Sequence, residues 1–133
     1  MTPTPNNSPL GPCSPLFIVR DLATSLAHYH GQLGFDIRFQ SPEIDPFFAM
    51  VGRGSAQFML KAIAGVAPTP NPARHAWAKW DAFIFVDDPD TLAHELINRG
   101  TTLRVPLGDT DDGLRGFEVA DPDGYVCFFG RPL

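Results

Sequence analysis

Apolar and polar positions along this chain switch between two periods, and the switch happens twice in the same order. A short β-favouring run, PLFIV at 15–19, is followed by Asp21 where a helix N-cap belongs. Leu22, Leu26, Tyr29 and Leu33 then recur at helical spacing on one face, and Gly34 closes the segment. Three strand patterns follow, FDIRFQ at 35–40, FFAMV at 47–51 and AQFMLKAI at 56–63, separated by proline-containing or Gly-Arg-Gly turns. Residues 64–79 hold three prolines and no period, which predicts a connector.

Beyond the connector the order returns. WDAFIFV at 80–86 reads as a strand, Asp88 as an N-cap with Pro89 in the first helical position, and Leu92, Leu96 and Ile97 as the apolar stripe before Gly100. Strands at 102–107, 114–120 and 125–130 complete the set, the last two joined by Asp121-Pro122-Asp123-Gly124, the composition of a type I turn. The letters repeat as well: Ser25-Leu26-Ala27-His28 matches Thr91-Leu92-Ala93-His94, and Gly34 matches Gly100. An internal duplication of a βαβββ module is the expectation, with module one at 14–63 and module two at 80–133 of a single 14–133 domain. The first 13 residues, rich in Pro, Asn and Ser, are expected to form a flexible arm.

Composition narrows the function classes. The formal charge of −5 is set by 10 basic and 15 acidic residues, and the scattered cations offer no nucleic-acid surface. No apolar run approaches the ~20 residues that span a bilayer. Cys13 and Cys127 are the only cysteines and no secretory leader precedes them, so a cytoplasmic protein with reduced thiols is expected. Cys127 lies inside an apolar run and reads as a core residue. His28, His30, His75 and His94 are expected on helix or loop surfaces, and no glycine-flanked serine or phosphate-cradling loop is present.

The phrases VRDLATSLAHYHGQLGF, VDDPDTLAHELINRG and GLRGFEVADPDGYVCFF, in that order, resemble the vicinal oxygen chelate superfamily of glyoxalases, bleomycin-resistance proteins and extradiol dioxygenases. The resemblance implies an α+β fold in which two βαβββ modules form a U-shaped mixed sheet, with the helices on its convex side and a ligand on the concave side. It also implies a homodimer. In metal-dependent members four strands each supply one metal ligand; the matching positions here are Ser14, Met59, Asp81 and Phe128, with Gln57 a near miss. A hydroxyl, a thioether and a phenyl ring beside one carboxylate are a poor set for a divalent ion. No metal, cofactor or catalytic residue is therefore expected.

Strand alternation then predicts the lining. If Asp81 faces the cavity, so do Phe83 and Phe85, while Ala82, Ile84 and Val86 face the helices; Gln57, Met59 and Lys61, Val126 and Phe128, and Glu118 also turn to the cavity. Phe47, Phe48, Trp77 and Trp80 are expected at its rim. An aromatic lining with Asp81 and Glu118 as acidic points suits an aromatic or cationic compound. The expected function is sequestration of such a compound, for example an antibiotic. A metal-dependent glyoxalase-like lyase or isomerase, or a dioxygenase, is the alternative.

Overall fold

The computed structural model describes residues 8–133, so the first seven residues of the expected arm lie outside the described residues. Among the described residues, eight strands form two four-stranded mixed sheets. β1 (Leu16–Val19), β2 (Asp36–Ser41), β3 (Phe48–Arg53) and β4 (Ala56–Ala62) make the first, in the order β1-β4-β3-β2. β5 (Ala82–Phe85), β6 (Val105–Asp109), β7 (Leu114–Ala120) and β8 (Val126–Pro132) make the second, in the order β5-β8-β7-β6. In both sheets the first and last strands pair in parallel and the rest antiparallel. That shared topology is the duplication read from the letters, and the fold is the expected α+β pair of modules.

The helices start where their caps predict. α1 (Leu22–Leu26) begins at Asp21, whose carboxylate accepts from Thr24 N, and α3 (Pro89–Asn98) begins at Asp88, which accepts from Thr91 N. α1 does not run on as an α-helix to Gly34, however. It opens into a π-helical segment, Ala27–Gln32, whose wider turn is closed by Leu33 N donating to His28 O at 3.0 Å. Gly34 and Gly100 both take positive φ, 71° and 90°, as helix-ending glycines do. His28 is buried rather than exposed: its ring stands edge-on to Tyr29 at 4.9 Å, and desolvation lowers its pKa, so a neutral imidazole fills the site.

Three further expectations shift. β6 begins at Val105, not at Thr102, and its ladder to β7 is itself interrupted between Val105 and Gly108, where Pro106 has no N–H to give. β8 continues two residues past Gly130, to Pro132. The connector is not wholly irregular, since Asn71–Arg74 closes one helical turn, α2.

The two sheets turn one face each toward a single core. Phe17, Val19, Phe58 and Leu60 from the first meet Phe117, Val119, Cys127 and Phe129 from the second, with Tyr29, Leu33 and Leu96 between them. The Phe17 and Tyr125 rings stack at 4.3 Å and 3°, and the Tyr125 hydroxyl donates to Ile18 O. At the other side of the joint, Arg53 of β3 holds Glu95 of α3 through two hydrogen bonds of 2.7 and 2.8 Å. The remaining faces of the two sheets point away from this core.

The central polar link of the joint is Asp121. The Tyr29 hydroxyl donates to its Oδ2 at 2.8 Å, and the amides of Asp123 and Tyr125 donate to Oδ1, each at 2.9 Å. Burial outweighs these donors and pushes the Asp121 carboxyl up to about 6, from an ordinary 3.8. A folded pKa above the unfolded one means that the stability from this group is full below about pH 4 and is lost as pH rises through about 6. Urea unfolding at about pH 4.5 and about pH 7.5 should show a loss on the order of 2 kcal/mol, and Asp121→Asn should flatten it. Parallel profiles for the two proteins would show that the carboxyl is ionised throughout.

Candidate functional site

The outward face of the second sheet is where the predicted aromatic positions come together. Alternation along β5 and β8 sends Ala82, Ile84, Cys127 and Phe129 to the core and leaves Phe83, Phe85 and Phe128 on the other side. Phe83 lies opposite Phe128 in the ladder, and their rings stack at 5.2 Å and 25°. Phe85 adjoins Phe83 at 5.1 Å, and Trp80, entering from the connector, meets Phe83 at 5.5 Å and Phe128 at 5.8 Å. Four rings thus form one continuous floor.

A row of glycines supports it. Phe85 pairs with Gly130, Gly130 with Gly116, and Gly116 with Gly108, so three strands present no side chain along this lane. The Phe128 ring tips onto it: a Cβ on Gly130 would stand 2.5 Å from Phe128 Cε1, and one on Gly116 would stand 2.8 Å away. The same added carbon at Gly116 would fall 2.2 Å from Phe129 O, so the strands themselves require glycine there. Phe128 is therefore only 2% exposed, as buried as Phe129 although it faces the other way, while Phe85 is 72% exposed.

The two expected acidic points are both occupied by the protein itself. Asp81 Oδ1 accepts from Asn71 N at 2.7 Å and Oδ2 from Val126 N at 2.8 Å, so this carboxylate ties the start of α2 to the start of β8. Glu118, next to Phe128 in the ladder, is buried in an ion pair with Arg104. Neither carboxylate is free to select a cation.

The other candidates fall elsewhere. Met59 pairs with Leu16 and Met50 on the outward face of the first sheet, where Phe48 also lies, and Phe47 stands half-exposed just before β3. Trp77 is in the connector, stacked on His75 at 4.8 Å. Gln57 donates to Ser14 Oγ at 2.7 Å and accepts from Arg38 at 3.0 Å. The Arg38 and Arg104 contacts were not legible in the sequence, since neither arginine has a spacing that marks its partner.

Tested as a metal site, the four positions do not fit. Ser14 is bonded to Gln57, Met59 offers a thioether, both oxygens of Asp81 hold backbone amides, and the Phe128 ring covers the glycine lane. Among the described residues, no group of three or more His, Cys, Asp or Glu converges elsewhere. Cys127 is on the core side of β8, where burial raises its thiol pKa and keeps it protonated.

A larger cavity, of about 810 Å³, opens between the modules along β5, lined by Phe35, Phe58, Leu92, Leu96 and Phe129 under Arg53 and bordered by Phe83 and Phe85 of the floor. Part of its wall is the common core, and Arg53, its cation, is already held by Glu95 and Leu33 O. Its lining also includes Cys13, Ser55, Gln57 and Thr91, and the outward floor adds preformed stacking surfaces beside it.

A family model described as Glyoxalase/Bleomycin resistance protein/Dioxygenase superfamily matches residues 12–128. No curated protein matches the chain. Among solved structures, TioX from Micromonospora sp. ML1 is similar at 21% identity and a TM-score of 0.70, over 92% of this chain and 100% of that one. TnmS3, an antibiotic binding protein from Streptomyces sp. CB03234, is similar at 18% identity and a TM-score of 0.69, over 96% and 100%. A bleomycin-binding protein complexed with bleomycin is similar at 18% identity and a TM-score of 0.70, over 93% and 100%.

The role assigned to Asp81 has a direct check. Asp81→Ala leaves two amides without acceptors and should cost roughly 1–3 kcal/mol of stability. Hydrogen exchange should accelerate at Asn71 and Val126 and leave the β3–β4 ladder unchanged. Unaltered exchange at both amides would refute the clamp.

Proposed function

Since the chain belongs to the glyoxalase/bleomycin resistance protein/dioxygenase superfamily, we propose that it is a binding protein that captures an aromatic small molecule, such as an antibiotic, without transforming it. The observation that carries this reading is the aromatic floor, on which Phe85 is exposed, Trp80 and Phe83 are half-buried and Phe128 is the buried base, with no nucleophile, free carboxylate or metal donor set among the four. Two similar structures are of an antibiotic binding protein and of a bleomycin-binding protein with bleomycin, which supports capture as a use of this fold. Stoichiometric capture needs affinity in excess of that of the compound's target and no catalytic group.

The same reading takes residues 14–133 as one domain and a homodimer as the working assembly. The outward faces of both sheets carry exposed apolar side chains, Leu16 and Phe39 on one and Phe85 on the other, which a second copy would cover. Free thiols at Cys13 and Cys127 suit a reducing cytoplasm. Among the described residues, no helix is long and apolar enough to cross a membrane.

Phe85→Ala removes an exposed ring of the floor. It should leave the melting temperature unchanged and weaken the binding of an aromatic antibiotic by about 1 kcal/mol, read by calorimetry. Leu92→Trp, which fills the cavity between the modules, should leave that affinity unchanged. Loss of affinity in Leu92→Trp would move the site into the cavity, which Phe85 also borders. One equivalent of tightly bound zinc, iron or manganese in the purified protein would replace capture with metal-dependent catalysis.

A further inference from the structure

The aromatic floor continues into a groove of about 490 Å³ under the connector, lined by Arg74, His75, Trp77, Lys79, Trp80 and Asp112. Trp80 belongs to both places, with one side against Phe83 and Phe128 and the other facing the groove. Trp77, 78% exposed, is stacked on His75 at an interplanar angle of 14° and stands as the outer wall.

The groove is held in place rather than loosely draped. Asp81 fixes the amide of Asn71 at its start, Tyr125 Oη accepts from Thr69 N at 3.2 Å, and β5 begins two residues after Trp80. Residues 69–82 are thereby tied at both ends to the sheet that bears the floor.

Its charge runs opposite to that of the chain. In a protein of net charge −5, the groove gathers Arg74 and Lys79 against one carboxylate, Asp112. Arg74 donates to the neutral Asn71 Oδ1 at 2.8 Å and, among the described residues, forms no salt bridge. Lys79 reaches Asp112 only at 3.6 Å, with both side chains more than half exposed, and Asp112 also accepts from Thr110 Oγ1 at 2.6 Å. Such a solvated pair holds its lysine weakly. The carboxylates nearer the floor, Asp81 and Glu118, are engaged by backbone amides and by Arg104.

We propose that the groove seats an anionic handle, so that the compound captured on the floor is an aromatic acid rather than a cation. Its ring lies along Trp80, Phe83 and Phe85, and its carboxylate or sulfonate lies between the guanidinium of Arg74 and the ammonium of Lys79. This inference rests on the floor being the ligand site, and its test separates the two.

Three probes of one ring system, 1-naphthoate, 1-naphthalenemethanol and 1-naphthylmethylammonium, are compared by equilibrium dialysis against the full chain. The acid should bind about tenfold more tightly than the alcohol, and the amine least tightly. In the double variant Arg74→Ala/Lys79→Ala, whose side chains are exposed, the acid should fall to the affinity of the alcohol, while the affinity of the alcohol and the melting temperature stay unchanged. Equal binding of acid and alcohol to the native chain would overturn the handle and leave the floor standing. Tightest binding of the amine would reverse the charge preference, and no binding of any probe would overturn handle and floor together.

Discussion

The hydrogen bond from the Tyr29 hydroxyl to the buried carboxylate of Asp121 is the constraint on which the rest of the molecule turns. It joins the helical segment of the first module to the turn that starts the last strand of the second. The same carboxylate organises that turn by accepting two of its amides. With Tyr125 stacked on Phe17 beside it, the link commits the helix-facing sides of both sheets to one core. The opposite sides are then left facing outward. The aromatic floor faces outward because the alternate side chains of the same strands are committed to the core.

Most of this architecture was legible in the amino-acid order. The caps at Asp21 and Asp88, the glycines at 34 and 100 and the period of each strand are local signals, and local signals survive folding well. Strand alternation correctly sent Phe83, Phe85 and Phe128 to one side and Ala82, Ile84, Cys127 and Phe129 to the other. What failed were statements about partners. Asp81 and Glu118 stand in the sequence as acidic points of the lining, because a sequence does not display the amides of Asn71 and Val126 or the guanidinium of Arg104. The π-helical opening after Leu26 and the burial of His28 were likewise invisible, since one widened turn leaves Leu22, Leu26, Tyr29 and Leu33 at spacings of three and four.

The polarity of the site changes with these partners. A lining that looks acidic as a list of residues is close to neutral once Asp81 and Glu118 are followed to their donors, and the connector brings two weakly held cations beside it. Charge counted along the chain and charge available at a surface are different quantities, and only the second acts on a ligand.

The glycine lane beneath Phe128 bears on how such a site can change over time. Gly116 and Gly130 are held small by the approach of their own strands, and the ring of Phe128 fills the space above them. A carboxylate or imidazole introduced at position 128 would leave a hollow over bare backbone and find no partner ligand at positions 14 or 59. Each single step toward a metal centre would thus lose packing before gaining coordination, which places a ridge between this chain and a metal-dependent descendant.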